Sequence, residues 1–128
     1  PAVLDSEGFF TEIPIASMHY SPLFFWKLFV LGRLNPKQHK PIGNGVPAKG
    51  GGSKKDLLTR SHRLCVSADG SFSTQLNRAL NKAQRANEPF MVVIGHPKAL
   101  TPFGLLTLEA FIAKHHRNHE FVTLSSIL

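Results

Sequence analysis

FMVVIGHPKALT, from Phe90 to Thr101, is the stretch on which the reading of this chain turns. Its first half, Phe90 to Gly95, is a continuous apolar run with β-branched residues, the pattern of a strand covered on both faces as in a parallel sheet. His96 follows directly, and Pro97 prevents further sheet pairing. Thr101-Pro102 then opens a helix to about Arg117, with Thr101 as cap and Pro102 in the first turn. Beyond it, EFVTL from Glu120 to Leu124 reads as a closing strand.

The same alternation extends upstream. Ser73 to Asn87 reads as a helix, because Leu76, Ala79, Leu80 and Ala83 recur at helical spacing while Arg78, Lys82 and Arg85 take the other face. LCVSA, Leu64 to Ala68, is a short strand ending in the turn signal Asp69-Gly70. Ser21 to Leu34 reads as a helix with Ser21 capping and Pro22 first, and GFFTEIPIA, Gly8 to Ala16, as the opening strand. The order β-α-loop-β-α-β-α-β predicts an α/β fold with a parallel sheet of about four strands. Such a sheet is either small and open or part of a deformed (β/α) barrel, whose outer edges would be exposed in an isolated chain.

Composition sets the outer limits. A chain of 128 residues fits one domain, and 42% hydrophobic against 18% charged residues excludes wholesale disorder. No apolar stretch approaches the roughly 18–20 residues of a membrane span. Cys65 alone excludes an internal disulfide framework and a Cys-rich zinc site. The chain starts at Pro1 with no signal-peptide pattern, and we expect either a single domain over 1–128 or the C-terminal half of a larger barrel.

Charge is uneven. Lys plus Arg number 15 against 8 acids, a formal charge of +7. Nine of those basic residues lie between Lys27 and Arg63, facing Asp56 alone. Residues 35–63 also hold Pro36, Pro41, Pro47 and Gly50-Gly51-Gly52-Ser53, which reads as a long basic loop. It either grips a polyanion or is simply solvated. No aromatic platform for stacking bases stands out in it, which counts against nucleic acid.

In parallel α/β proteins ligands bind beyond the carboxyl ends of strands. There the sequence delivers His19 from the first strand, Asp69 from the second, and His96 and Lys98 from the third. His96 is the candidate catalytic group, since imidazole transfers protons near neutral pH and Gly95 lets a ligand approach. Asp69, His19 and Lys98 are the candidate substrate-binding residues. Asp69 either orients His96 or serves only an Asp-Gly turn. His115, His116 and His119 form HHxxH near the end of the last helix. Two histidines four apart share a face, yet a catalytic zinc needs a third ligand, so we read them as structural. PLFFWKLFVLGRL, Pro22 to Leu34, lacks a clean polar face and reads as a buried or groove-covering helix rather than a membrane-surface one. No Walker A motif and no GxSxG nucleophile elbow occur.

Met91 to Leu124, MVVIGHPKALTPFGLLTLEAFIAKHHRNHEFVTL, resembles the end of bacterial NodB-type polysaccharide deacetylases, closest to the branch of O-antigen and envelope polysaccharide synthesis. GFFTEIPIAS at Gly8 to Ser17, PIGNG at Pro41 to Gly45 and VSADG at Val66 to Gly70 resemble further patches of that family. The resemblance implies metal-dependent hydrolysis of N-acetyl groups on an envelope oligosaccharide or polysaccharide. The family's divalent ion, usually zinc, is held by an early Asp and an HxxxH pair, and a second early Asp is the base. Those ligands are not found here at matching positions, which implies a missing N-terminal half as partner and an inactive isolated chain. Val93-Ile94-Gly95-His96 stands where the family has its late LxxH histidine, the general acid. The implied location is a bacterial cytoplasm or cell envelope. The alternative is a non-catalytic α/β domain that binds nucleic acid or an anionic glycan through its basic loop.

Overall fold

A computed structural model describes residues 13–42 and 53–126. Strand β1 is Ser17–Tyr20, followed by helices α1 (Pro22–Leu34), α2 (Pro36–His39) and α3 (Lys54–Thr59), and strand β2 is His62–Cys65. A 3₁₀ turn, Gly70–Gln75, runs into α4 (Leu76–Arg85), and a second, Pro97–Ala99, precedes α5 (Pro102–His115). A last 3₁₀ turn covers Leu124–Ser126.

Among the described residues the expected parallel sheet does not form: β1 and β2 make a two-stranded antiparallel pair, with Ser17 opposite Cys65 and Tyr20 opposite His62. The cause lies in the connection. A right-handed crossover needs one helical leg, whereas here α1 and α3 pack on each other, with Trp26 Nε1 donating to the Leu58 carbonyl at 3.2 Å. The helices between the strands pack on one another instead of one of them carrying the chain across a sheet, and β2 runs against β1.

Parallel pairing survives only in miniature. Ser67 and Ile94 make one parallel bridge, with Ala68 N–H donating to Ile94 O at 2.9 Å and Ile94 N–H to Val66 O at 3.1 Å. The apolar run at Phe90 to Gly95 is thus an extended segment, not a strand buried on both faces. Met91 and Val93 pack on the core while Phe90 stays exposed. Glu120 to Leu124 is not a strand either. Phe121 turns its ring edge onto Phe111 at 6.0 Å, and Val122 is exposed. The deformed-barrel reading falls with these two strands.

The other elements follow their local chemistry. The opening strand begins at Ser17 rather than Gly8; Ile13 to Ala16 lie outside any strand and Gly8 to Glu12 fall outside the described residues. Pro22 takes the first position of α1, but the Ser21 hydroxyl makes no capping bond. Thr101 does cap α5, its Oγ1 accepting from Gly104 N–H at 3.0 Å. The Ser73 helix starts as a 3₁₀ turn because Ser73 Oγ and Thr74 Oγ1 donate to the carbonyls of Gly70 and Ser71, three residues back. The span 35–63, read as one loop, contains α2 and α3; residues 43–52 of it lie outside the described residues.

The core sits between the β1–β2 pair and helices α1, α4 and α5. Met18, Tyr20, Phe24, Phe25, Val66, Leu76, Ala79, Leu80 and Phe111 build it. Alternation puts Met18 and Tyr20 inward and His19 outward. Tyr20 meets Phe24 at 4.9 Å and Phe72 at 5.3 Å between ring centroids, within the range of favourable aromatic pairs. Among the described residues no helix is long and apolar enough to cross a membrane.

Candidate functional site

The short parallel bridge brings the ends of two extended segments side by side, and each end carries a polar residue. Asp69 follows Ala68, and His96 stands two residues past Ile94. The Asp69 carboxylate grips His96 twice: Oδ1 accepts from the His96 backbone N–H and Oδ2 meets ring Nδ1, both at 2.7 Å. The turn also fixes the acid itself, since Asp69 N–H donates to Ser67 Oγ at 2.9 Å. Gly70 then adopts φ +48°, a left-handed conformation suited to glycine. Orienting His96 and making the Asp-Gly turn are therefore one arrangement, not alternatives.

Electrostatics fix the tautomer. Burial pushes the Asp69 carboxyl up, but hydrogen bonds from the His96 backbone and ring and from Ser67 outweigh it and hold the group below its ordinary value. A carboxylate accepts only, so Nδ1 carries the proton and Nε2 is left to exchange one with a ligand. The Asp69 side chain is 16% exposed and that of His96 53%, so the orienting group is sheltered and the ring remains accessible.

The start of α5 closes over this turn. Gly104 lies so near that a Cβ there would sit 3.0 Å from Gly70 N and 3.2 Å from the Ala68 carbonyl. Thr101, 3% exposed, fills the space beside Gly70. On the far side of the turn His39 Nδ1 lies 3.3 Å from Ser71 Oγ, with its ring against Phe103 at 4.7 Å. Nothing in the sequence pointed to His39, which sits in the basic span. Ser67 went unread, although a serine two residues before an Asp-Gly turn is the signal for its hydroxyl to accept from the Asp69 N–H.

The structure gathers only part of the sequence-predicted set. Lys98 is exposed on the 3₁₀ turn after His96, with no hydrogen bond or ion pair to another described residue. His19 lies elsewhere, in a groove with Met18, Arg78, Asn81, Lys82 and Arg85. HHxxH ties α5 to α4: His115 Nε2 bonds Asn77 Oδ1 at 2.8 Å and His119 Nε2 meets Gln84 Nε2 at 3.1 Å. Among the described residues no group of three or more His, Cys, Asp or Glu side chains could hold a metal ion. Asp69 and His96 engage each other, and His115 and His119 form only a pair, so these donors do not fit the family's zinc.

No family model, curated protein or solved structure matches the chain.

Proposed function

We propose that this chain carries the general-acid part of a hydrolase acting on N-acetyl groups of envelope glycans, with the metal ligands of such an enzyme supplied from outside the chain. One observation supports the reading above all: the two-point grip of Asp69 on His96, which leaves Nε2 of an accessible ring facing outward. The sequence resemblance at Met91 to Leu124 supplies the substrate class.

In amide hydrolysis, water forms a C–O bond at the acetyl carbon and the C–N bond to the sugar breaks. His96, entering as imidazolium, gives its Nε2 proton to the departing amine. Nδ1 keeps its proton and donates it to Asp69, whose negative charge faces the ring throughout. The base for the water proton belongs to the part of the enzyme outside this chain. Proton donation of this kind contributes about 10²–10⁴-fold. Lys98, two residues after His96 and exposed, supports a contact with an acidic substituent of the glycan.

The test is acetate release from N-acetylated oligosaccharides by the intact gene product. His96→Ala lowers kcat by about 10²–10⁴-fold, while Asp69→Asn moves the pH profile as well as kcat. The 128-residue chain alone releases no acetate with or without added zinc. Robust turnover by that chain, or full activity of His96→Ala, overturns the reading.

A further inference from the structure

A second site lies away from His96, between α4 and the outer edge of β1. There a groove of about 410 Å³ is lined by Met18, His19, Arg78, Asn81, Lys82 and Arg85. No carboxylate lines it, and among the described residues none of its three cations has an ion-pair partner.

The arrangement follows from two periodicities. Arg78, Lys82 and Arg85 stand at i, i+4 and i+7 of α4 and so form one stripe, opposite the buried Leu76, Ala79, Leu80 and Ala83. Alternation along β1 sends Met18 inward as a floor and leaves His19 exposed on the rim. Lys82 Nζ donates to the Ser17 carbonyl at 2.9 Å, which pins the stripe to the strand edge. Arg63 stands opposite His19 in the register, with Nε donating to Ser17 Oγ at 2.9 Å, and adds positive charge next to the groove.

Like charges at i and i+4 repel one another on a free helix. Held together in a concavity with an amide and an imidazole, they complement an anion. The geometry points to a binding site for a small molecule bearing an oxyanion, a phosphate monoester or a carboxylate on a sugar-sized body. Two guanidinium groups offer planar, bidentate donors to such oxygens, and Asn81 and His19 supply neutral polar contacts. The volume falls within the roughly 300–1,000 Å³ of small-molecule pockets. A polynucleotide fits less well, because no aromatic side chain lines the groove to stack a base. The site stands independently of the chemistry at His96.

Titration by two-dimensional NMR at low salt tests it, with inorganic phosphate, glucose 6-phosphate, glucuronate and an eight-nucleotide oligouridylate as separate probes. Saturable shifts at His19, Asn81 and the α4 stripe are expected with glucose 6-phosphate or glucuronate, and the stronger of the two identifies the oxyanion. Arg78→Gln with Arg85→Gln, both exposed, weakens that binding by at least about tenfold, the loss of one charge-assisted contact or more. Arg60→Gln, just past the end of α3, leaves it unchanged, as does His96→Ala. Absence of saturable shifts with either sugar acid overturns the proposal. So does binding that survives the double replacement, or oligouridylate binding where both sugars are silent.

Discussion

Asp69 shows how one side chain can serve fold and chemistry together. Its folded-state carboxyl lies below its ordinary value because three hydrogen bonds outweigh burial. Sign follows from linkage: the stabilisation is fully present above the unfolded value, about 3.9, and disappears as pH falls through the lower folded value. Thermal unfolding followed from pH 6 to pH 2 therefore shows a loss below about pH 4 that Asp69→Asn lacks. At neutral pH Asp69→Ala costs about 1–3 kcal/mol, since it strips partners from the His96 backbone and ring. Tyr20 behaves in the opposite way. Its hydroxyl is buried without a hydrogen-bond partner among the described residues, and burial first, then Cys65, pushes its ionisation up against the pull of Arg78. The ring contributes through Phe24 and Phe72, not through the oxygen. Tyr20→Phe should be neutral or raise stability by up to about 1 kcal/mol in urea unfolding; a loss of that size would mean that the hydroxyl has a partner in solution.

The N-terminus of α5 controls the turn that holds Asp69. Gly104 passes within van der Waals range of the Gly70 backbone, and atoms of backbone cannot swing aside as a side chain can. Gly104→Ala is expected to cost about 1–3 kcal/mol by overpacking, despite alanine's better helix propensity. It should also shift the NMR signals of His96, which a merely local helix effect would leave in place. Thr101→Ala removes the cap on the same turn and costs about 1 kcal/mol. Elements with a local cause were the ones legible in sequence: the Thr101 cap and Pro102 start of α5, the Pro22 start of α1, and the apolar stripe of α4. Long-range pairing was not. A run such as Phe90 to Gly95 has the same hydrophobic pattern whether it joins a sheet or lies extended with Met91 and Val93 on a core, because period alone does not name a partner. For the candidate site, the meeting of Asp69 and His96 follows from an expected parallel pairing of which one bridge is present, and one bridge is all their contact needs. His19 was assigned to that end on the assumption of a parallel β1, and the antiparallel register carries it to the α4 groove instead.

Across the whole molecule, His96 and the pair His115 and His119 occupy different kinds of place, and their roles should separate accordingly. His96 ends an extended segment, is oriented by a sheltered carboxylate and keeps Nε2 open. His115 and His119 lie at the far end of α5, with ring centroids 5.9 Å apart, His115 stacked on Phe111 and both tied to α4 side chains. Burial, then Lys114 and His119, holds His115 below its ordinary value. Its neutral form is therefore the one the fold favours, and that stabilisation is lost as pH falls through the lower folded value. Replacing His115 and His119 together with Gln keeps a donor for Asn77 but removes this titration. In the acetate-release assay of the proposed activity such a variant should keep kcat nearly unchanged while its stability becomes less sensitive to acid. Under the proposed activity His96→Ala should do the reverse, with a large loss of kcat and an unfolding midpoint lowered only by the loss of the ring's one bond to Asp69, about 1 kcal/mol, because a proton donor acts in the transition state. Measuring both variants for kcat and for unfolding between pH 5 and pH 8 separates the two roles. If the α5 pair proved essential for turnover and His96 dispensable, the functional centre would have to move from the Asp69 turn to the α4–α5 seam.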